Sequence, residues 1–336
     1  MIYRLFRPIL FLFPPEFIHR VVLRILDYVY PYSRVQKIQA TFPKKPQHVF
    51  NLDFPNPVGL AAGLDKNADH IDALFGLGFG FIEVGAVTPR PQQGNLKPRL
   101  FRLSKARALI NKMGFNNLGV DYLIQQLKKR KVSGIVGVNI GKNADTALEQ
   151  AADDYQICLQ KVYPFADFVT INISSPNTLG LRELQNEAYL SQLLLQMKRA
   201  QNTLAGKFKK YVPLLVKLSP DLTDQEVDAI AALILQVKMD GIIAVNTSRD
   251  RSAVQGLAHA EQEGGLSGQP LLKKTIHVIA RLHQATRAEI PLIAVGGIFS
   301  AEDVSALFAA GACLVQIYTG LIYQGPSLIR KIVNAL

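Results

Sequence analysis

FVTINISS, residues 168–175, is the stretch on which the fold turns. Phe168, Val169, Ile171 and Ile173 form an apolar run that ends in a pair of serines, with Asn172 inside it and Pro176 and Asn177 behind it. Short continuous runs rich in Val, Ile and Leu are the pattern of strands buried on both faces of a parallel sheet. Seven further runs follow the same plan: VGLAAG (58–63), GFIEVGAVT (80–88), GIVGVNI (134–140), PLLVKLS (213–219), GIIAVNT (241–247), PLIAVGG (291–297) and CLVQIYT (313–319). Each closes in Gly, Ser, Thr or Asn, and amphipathic stretches separate them, such as TDQEVDAIAALILQV after the fifth run. Eight such strands alternating with helices predict an α/β fold, a (β/α)8 TIM barrel, and the span from first to last run is close to the roughly 250 residues typical of one. The competing architecture, a doubly wound open sheet, requires a chain crossover and usually fewer strands. In FSAEDVSALFAAG, Ser300 and Asp303 read as a capping box and Gly311 as a stop.

Barrel chemistry sits at the C-terminal ends of the strands, so those ends are where function is sought. They are polar: Asp65, Lys66 and Asn67 after the first run, Asn139, then Asn172, Ser174, Ser175 and Asn177, then Lys217, then Asn246 and Thr247. Asn139, Asn172, Lys217 and Asn246 lie within otherwise apolar strands, where an unpaired polar group costs roughly 1–3 kcal/mol. Solvated loop residues would explain any one of these positions but not the set. Two glycine clusters complete the mouth, EGGLSGQP (263–270) before a helix and GGI (296–298) after the seventh strand. Backbone N–H groups of such loops bind phosphate, and the last two barrel loops are its usual home, so the pair favours a phosphorylated cofactor or substrate.

The first forty residues are organised differently. MIYRLFRPILFLFPPEFIHRVVLRILDYVYP is interrupted by Pro8, Pro14 and Pro15, too early for the roughly 20 successive apolar residues of a spanning helix. No small-residue cleavage site follows, which speaks against a removable signal. From Pro15, a residue suited to a first helical turn, Phe17, Ile18, Val21, Val22, Ile25, Leu26 and Val29 recur at helical spacing, with Glu16, Arg20, Arg24 and Asp27 on the other side and Pro31 as the stop. Together with a short apolar segment carrying Arg4 and Arg7, this fits a helix lying in the interface of a membrane with anionic lipids. A helical lid packed on the barrel is the other reading, and one pair of helices can serve as both. His19 falls near the edge of the apolar face, where a structural histidine is the commoner outcome.

The totals narrow the classes. The chain of 336 residues is 49% apolar and 19% charged, which is the composition of a globular enzyme with a large core. Its 38 Lys+Arg against 26 Asp+Glu give +12, a surplus compatible with nucleic acid, an anionic membrane or an acidic small ligand. The densest cluster, KKRK at 128–131, follows an apolar helical pattern and reads as a solvated helix C-terminus. Cys158 and Cys313 lie far apart with no C-x-x-C or His-rich partner, so both are expected as reduced core residues, with no metal site.

Taken in order, NPVGLAAGLDKNA, EVGAVTPRPQQGNLKPRLFRL, NKMGFNN, VNIGKN, NISSPNT, KLSPD, NTSRDR, GGLSGQP, VGGI and IYTG carry a resemblance over essentially the whole chain. The sequence resembles the class 2, membrane-associated, quinone-dependent dihydroorotate dehydrogenases. The resemblance implies an extension over residues 1–40, a catalytic barrel over 41–336, one FMN per chain, and oxidation of dihydroorotate to orotate in pyrimidine biosynthesis with a membrane quinone as co-substrate. It makes Ser175 the catalytic base and implies substrate contacts from Lys66, Asn111, Lys112, Met113, Gly114, Phe115, Asn172, Asn177, Asn246 and Thr247. Flavin contacts fall on Ala61, Ala62, Gly63, Leu64, Asp65, Lys66, Asn139, Asn172 and Lys217, with Gly268, Gly297, Tyr318 and Thr319 around the phosphate. His19, Arg102 and Tyr318 would line a quinone tunnel beneath the extension. The implied location is peripheral, on the cytoplasmic side of the inner membrane, with anionic lipids but no nucleic acid as partners. Ala86 and Val245 stand where the family usually has threonine, removing two hydroxyl hydrogen bonds worth about 0.5–1.5 kcal/mol each.

The chemistry fits the residues. Taking a proton from one carbon while hydride leaves its neighbour needs a base on one side of the substrate and a flavin on the other, and a serine base needs burial and oriented donors. No histidine neighbours Ser175, and SSPN lacks the G-x-S-x-G elbow, which argues against acyl transfer. A soluble fumarate- or NAD-linked relative would generally carry a cysteine base and lack the extension. An RNA-directed flavin barrel reducing uridine would need a basic accessory domain. Strand alternation puts Asn172 and Ser175 on opposite faces of a regular strand. If both serve one pocket, the strand breaks at Ser174 and the loop after it carries Ser175 and Asn177.

Overall fold

The computed structural model of the chain describes residues 2–177, 184–185 and 187–336; Thr178, which closes the NISSPNT motif, lies outside them. Three helices open the chain, α1 (Ile2–Phe11), α2 (Pro15–Val29) and α3 (Tyr32–Thr41), followed by an antiparallel hairpin of β1 (Gln47–Val49) and β2 (Leu52–Phe54). Next come β3 (Val58–Leu60), α4 (Ile71–Phe75), β4 (Phe81–Val87), β5 (Leu100–Leu103), β6 (Ala108–Asn111), α5 (Val120–Lys129), β7 (Ile135–Ile140), α6 (Ala151–Val162) and β8 (Phe168–Asn172). The remainder is α7 (Glu187–Phe208), β9 (Leu214–Leu218), α8 (Asp224–Val237), β10 (Gly241–Ala244), β11 (Gly265–Gly268), α9 (Leu272–Ala285), β12 (Leu292–Val295), α10 (Ala301–Ala309), β13 (Leu314–Ile317), α11 (Thr319–Gln324) and α12 (Ser327–Ala335).

Strands β3, β4, β7, β8, β9, β10, β12 and β13 pair in parallel, in that order, and close on themselves. These are the eight apolar runs, so the barrel expected from the sequence is the one that forms. Burial explains the runs: every residue of β4, β8 and β9 is buried, since one face fills the barrel and the other meets helices. Thr223 and Ser300 form capping boxes that start α8 and α10, and α5 ends in Lys128 and Lys129 as the charge run required. Both cysteines are free, but only Cys158 is fully buried; Cys313 is half-buried at the edge of the core, a correction to the expectation for that residue.

The floor of the barrel is filled by aromatic rings set against glycines. Phe54 from the hairpin meets Phe81 edge-on, 5.1 Å between centroids, and Phe81 meets Phe168 at 6.2 Å. The Phe168 ring fills the place of a side chain at Gly137, where a Cβ would lie 2.0 Å from it. A layer alternating very large and very small residues packs without voids. The far end of the barrel is therefore left for binding.

A second sheet, β5, β6 and β11, is antiparallel and stands beside the mouth. Helix α2 packs on α4 and β5, and α1 on α11. The two acids assigned to the polar side of α2 do not simply face water. Glu16 pairs with Arg99 and Asp27 with His70, both on the barrel. Asn172 is the last residue of β8, so the strand breaks two positions sooner than expected. The cause is local: Asn172 Oδ1 accepts the N–H of Ser174 at 3.3 Å, and Ser175 Oγ then accepts the N–H of Asn177 at 3.3 Å. Two consecutive side-chain turns compete with the sheet ladder and win.

Gly137→Ala should lower stability by about 1–3 kcal/mol through overpacking against Phe168, read as a lower urea midpoint with an unchanged slope.

Candidate functional site

The polar residues at the strand ends form one connected chain. Glu83, 0% exposed in β4, accepts from Gln316 Nε2 of β13 at 2.5 Å and from Asn139 Nδ2 of β7 at 2.6 Å. Asn139 Oδ1 takes Asn172 Nδ2 at 2.9 Å, and Asn172 Oδ1 takes Asn246 Nδ2 at 3.3 Å, which also reaches Ser174 Oγ at 3.0 Å. Each amide must point a fixed way, because its carbonyl is committed to one neighbour and its NH2 to the next. Asn172 is the register partner of Lys217, which brings that ammonium to the same rim.

Above this floor lies a pocket. Ser175, Asn177, Asn172, Asn246, Thr247 and Lys66 line it with Asn111, Met113, Gly114 and Phe115, and Asn177 Nδ2 donates to Asn111 Oδ1 at 3.0 Å. Ala61, Ala62, Gly63 and Lys217 line the barrel side. Gly268, Gly297, Tyr318 and Thr319 line the far end, where the Ser267 and Thr319 hydroxyls stand 2.9 Å apart. Gly297 has φ +82°, and a Cβ there would lie 2.4 Å from the backbone of Leu272, so the chain comes as close to α9 as glycine allows. Backbone at such a helix start presents N–H groups to an anion.

Four residues expected at the site do not line this pocket. Asn139 lies beneath it in the amide chain. Asp65 is turned away, its carboxylate accepting the N–H groups of Asp69 and His70, which shapes the loop that carries Lys66. Lys112 is held by its backbone N–H to the Arg99 carbonyl, and Leu64 faces a second cavity. Conversely, Glu83 and Gln316 were missed, although a charged or amide residue inside GFIEVGAVT and CLVQIYT is the same signal that marked Asn139 and Lys217. Ala86 and Val245, without the hydroxyls of threonine, both line the pocket, as do Ser267, Gly296 and Gly320.

The electrostatics favour an electron-rich ligand. Lys217 is 5% exposed and makes no ion pair among the described residues. Burial, with the nearby Arg99 guanidinium adding to it and Glu16 opposing it, lowers the Lys66 pKa to about 8. Gln316 Oε1 and Asn177 Oδ1 are buried acceptors with no hydrogen-bond partner among the described residues. Ser175 Oγ is nearly buried and faces a backbone donor.

The second cavity is apolar, about 180 Å³, and lies between the N-terminal helices and the barrel. Ile18, His19, Val22, Leu23 and Leu26 of α2 line it, with Leu64, Leu100, Arg102 and Tyr318 on the barrel side. Burial lowers the His19 pKa to about 4, leaving a neutral imidazole near pH 7. Arg102 donates to the carbonyls of Phe11 and Phe13 and stacks 4.5 Å from the Phe11 ring, so it clamps the end of α1. Tyr318 lines both cavities. The outward side of the same helices is apolar as well: Leu5, Leu12 and Tyr28 are 71%, 82% and 89% exposed.

Comparison with known proteins agrees with this geometry. A family model described as dihydroorotate dehydrogenase matches residues 46–336. The dihydroorotate dehydrogenase (quinone) of Coxiella burnetii is 57% identical over 336 residues, all of this chain and 97% of that protein. Its counterpart in Acinetobacter baumannii is 52% identical over the whole of both. Among solved structures, a dihydroorotate dehydrogenase from Eimeria tenella in complex with ferulenol superposes with a TM-score of 0.86 at 36% identity, covering 95% of this chain and 90% of that one.

Lys66 carries its charge below about pH 8 and loses it above. Affinity for an anionic ring ligand such as orotate should therefore fall as pH rises from 7 to 9.5, with proton uptake on binding near pH 8, both measurable by titration calorimetry in two buffers.

Proposed function

The chain belongs to the dihydroorotate dehydrogenase family, and we propose that its mouth pocket is the site of dihydroorotate oxidation and its apolar cavity the site of quinone reduction. The protein is a quinone-dependent, FMN-using dihydroorotate dehydrogenase that forms orotate in pyrimidine biosynthesis. One observation carries the division of labour: Tyr318 walls both cavities, so a cofactor held in the polar mouth pocket would be separated from the apolar chamber by little more than this ring.

The pocket fits one FMN per chain. Lys217 and Gln316 Oε1, both without a partner among the described residues, and the backbone around Gly268, Gly297 and Thr319 would supply, in that order, a charge for the ring, an acceptor for a ring N–H and donors for a phosphate. When bound, FMN supplies the hydride acceptor and the route to quinone. The buried Lys217 ammonium would hold the ring of the cofactor and would favour negative charge on it.

Ser175 gives up its own hydroxyl proton to solvent, and its Oγ takes the proton from the substrate carbon next to the one that loses hydride. The Asn177 N–H, 3.3 Å away, stabilises the ionised oxygen and so eases that first loss. Asn111, Asn172, Asn177 and Asn246 offer paired donors and acceptors to the lactam edges of the ring, and Lys66 offers charge to its carboxylate. Met113, Gly114, Phe115 and Thr247 close the chamber against water.

Residues 1–40 are proposed as the quinone-tunnel extension and 41–336 as the catalytic barrel. No helix among the described residues is long and apolar enough to cross a membrane. The exposed apolar side of α1 and α2 supports peripheral attachment through their outer face, at the cytoplasmic side of the inner membrane and against anionic lipids, with quinone entering between the helices past His19 and Arg102. Nucleic acid has no part in this reading.

Ser175→Ala should slow flavin reduction by dihydroorotate roughly 100- to 10,000-fold with flavin content unchanged, followed by anaerobic rapid mixing; unaltered kinetics would remove Ser175 from the base role. Steady-state turnover should be sustained by a short-chain quinone and not by fumarate or NAD; equal rates with all three would overturn the assignment of the apolar cavity.

A further inference from the structure

Glu16 lies in the first turn of α2, within the quinone-side extension, yet its carboxylate is bound to the barrel. Arg99 donates to it twice, Nη2 to Oε1 at 2.7 Å and Nε to Oε2 at 3.2 Å, and the Arg99 side chain is only 7% exposed. The third guanidinium nitrogen, Nη1, donates to the carbonyls of Gln93 at 2.6 Å and Asn95 at 2.9 Å. Arg99 is thus the knot between α2 and the loop that precedes β5.

That loop holds the roof of the oxidation chamber. Asn95 N–H donates to the Met113 carbonyl at 3.1 Å, Gln92 Nε2 to the Gly114 carbonyl at 2.9 Å and Asn95 Nδ2 to the Asn177 carbonyl at 3.3 Å. Met113, Gly114 and Asn177 all line the substrate pocket. Lys97 also approaches Glu16, at 3.9 Å, so this one carboxylate faces two cations.

We propose that Glu16 is a positioning residue for the oxidation site: through Arg99 it fixes the 92–95 loop, and with it the Met113–Gly114 and Asn177 backbone that roofs the bound dihydroorotate. The extension is then part of both half-sites, and helices that carry the quinone chamber also set the fit of the other substrate. Without the carboxylate, a nearly buried guanidinium is left beside Lys66 and Lys97 with no acid to balance it, which is the costly way to break a buried pair. The loop it gathers loses its fixed end. The effect falls on binding, because none of the atoms in this chain reacts.

This inference rests on the reading of the mouth pocket as the dihydroorotate site, and the test separates the two. Full-length, flavin-loaded wild type, Glu16→Gln and Arg99→Lys are compared in three measurements: anaerobic flavin reduction against dihydroorotate concentration, orotate affinity by calorimetry, and hydrogen exchange over residues 92–99 and 112–115. In Glu16→Gln the half-saturating dihydroorotate and the orotate Kd should both rise roughly tenfold, while the limiting reduction rate and the reoxidation of reduced enzyme by a short-chain quinone stay within about twofold. Exchange should rise in both segments. Arg99→Lys should show the same pattern, and the double variant should be no worse than the worse single one. Unchanged orotate affinity and exchange in Glu16→Gln would overturn the proposal, as would equal losses in the dihydroorotate and quinone arms, which mark a mere helix anchor. If Glu16→Gln does not fold, Glu16→Asp, which keeps the charge and shortens the reach, is judged by the same criteria. Wild-type flavin that dihydroorotate does not bleach would instead overturn the functional reading itself.

Discussion

A carboxylate inside a barrel has to be answered by donors, and Glu83 is the group to which the mouth of this one is built. Its two oxygens are taken by Asn139 on the adjacent strand β7 and by Gln316 on β13, one strand beyond β3 on the other side. Asn139 then dictates the orientation of Asn172, and Asn172 that of Asn246. A buried polar chain of this kind is costly if any member is unpaired and rigid when all are paired. Asn139 and Asn172 are therefore held by strand geometry, and they orient Asn246 just past the end of β10, with Ser175 and Asn177 set just beyond Asn172 by two side-chain turns.

The N-terminal helices answer a different demand. Their inner side, Ile18, Val22, Leu23 and Leu26, encloses an apolar chamber against the barrel, while Leu5, Leu12 and Tyr28 leave the outer side apolar too. A helix apolar on two sides is stable in water only where both find cover, which the barrel provides on one side and a lipid interface can provide on the other. The ion pairs Glu16–Arg99 and Asp27–His70 set the register of the lid on the barrel, and Arg102 holds the end of α1.

Much of the site was readable because its rule is local. A polar residue inside an apolar strand is expensive, which marks Asn139, Asn172 and Lys217; Asn246, expected within its strand as well, lies two residues past the end of β10. The same rule marks Glu83 and Gln316, which lie deeper in their runs than the polar residues at the strand ends. Leu64 and Asp65 are flavin contacts that the resemblance implies, and neither lines the mouth pocket. Adjacent residues in a loop point different ways, and here one faces the second cavity and the other builds the turn. The early end of β8 was out of reach for a related reason: whether Asn172 bonds to the ladder or to Ser174 depends on what Asn139 and Asn246 leave of its amide.

Hydrophobic run length, capping residues and glycine positions act over a few residues, so the eight strands, the closed parallel barrel they make and the polarity of its mouth are legible in the chain alone. Which partners those polar groups find is a matter of long-range packing. Glu83 meets Gln316 across 233 positions and Glu16 meets Arg99 across 83, separations at which no periodicity survives. That Tyr318 belongs to two chambers, and that the acids on α2 turn inward, follow from how closed the barrel is and how the helices lie across it. Those are properties of packing, in which each contact depends on all the others being made.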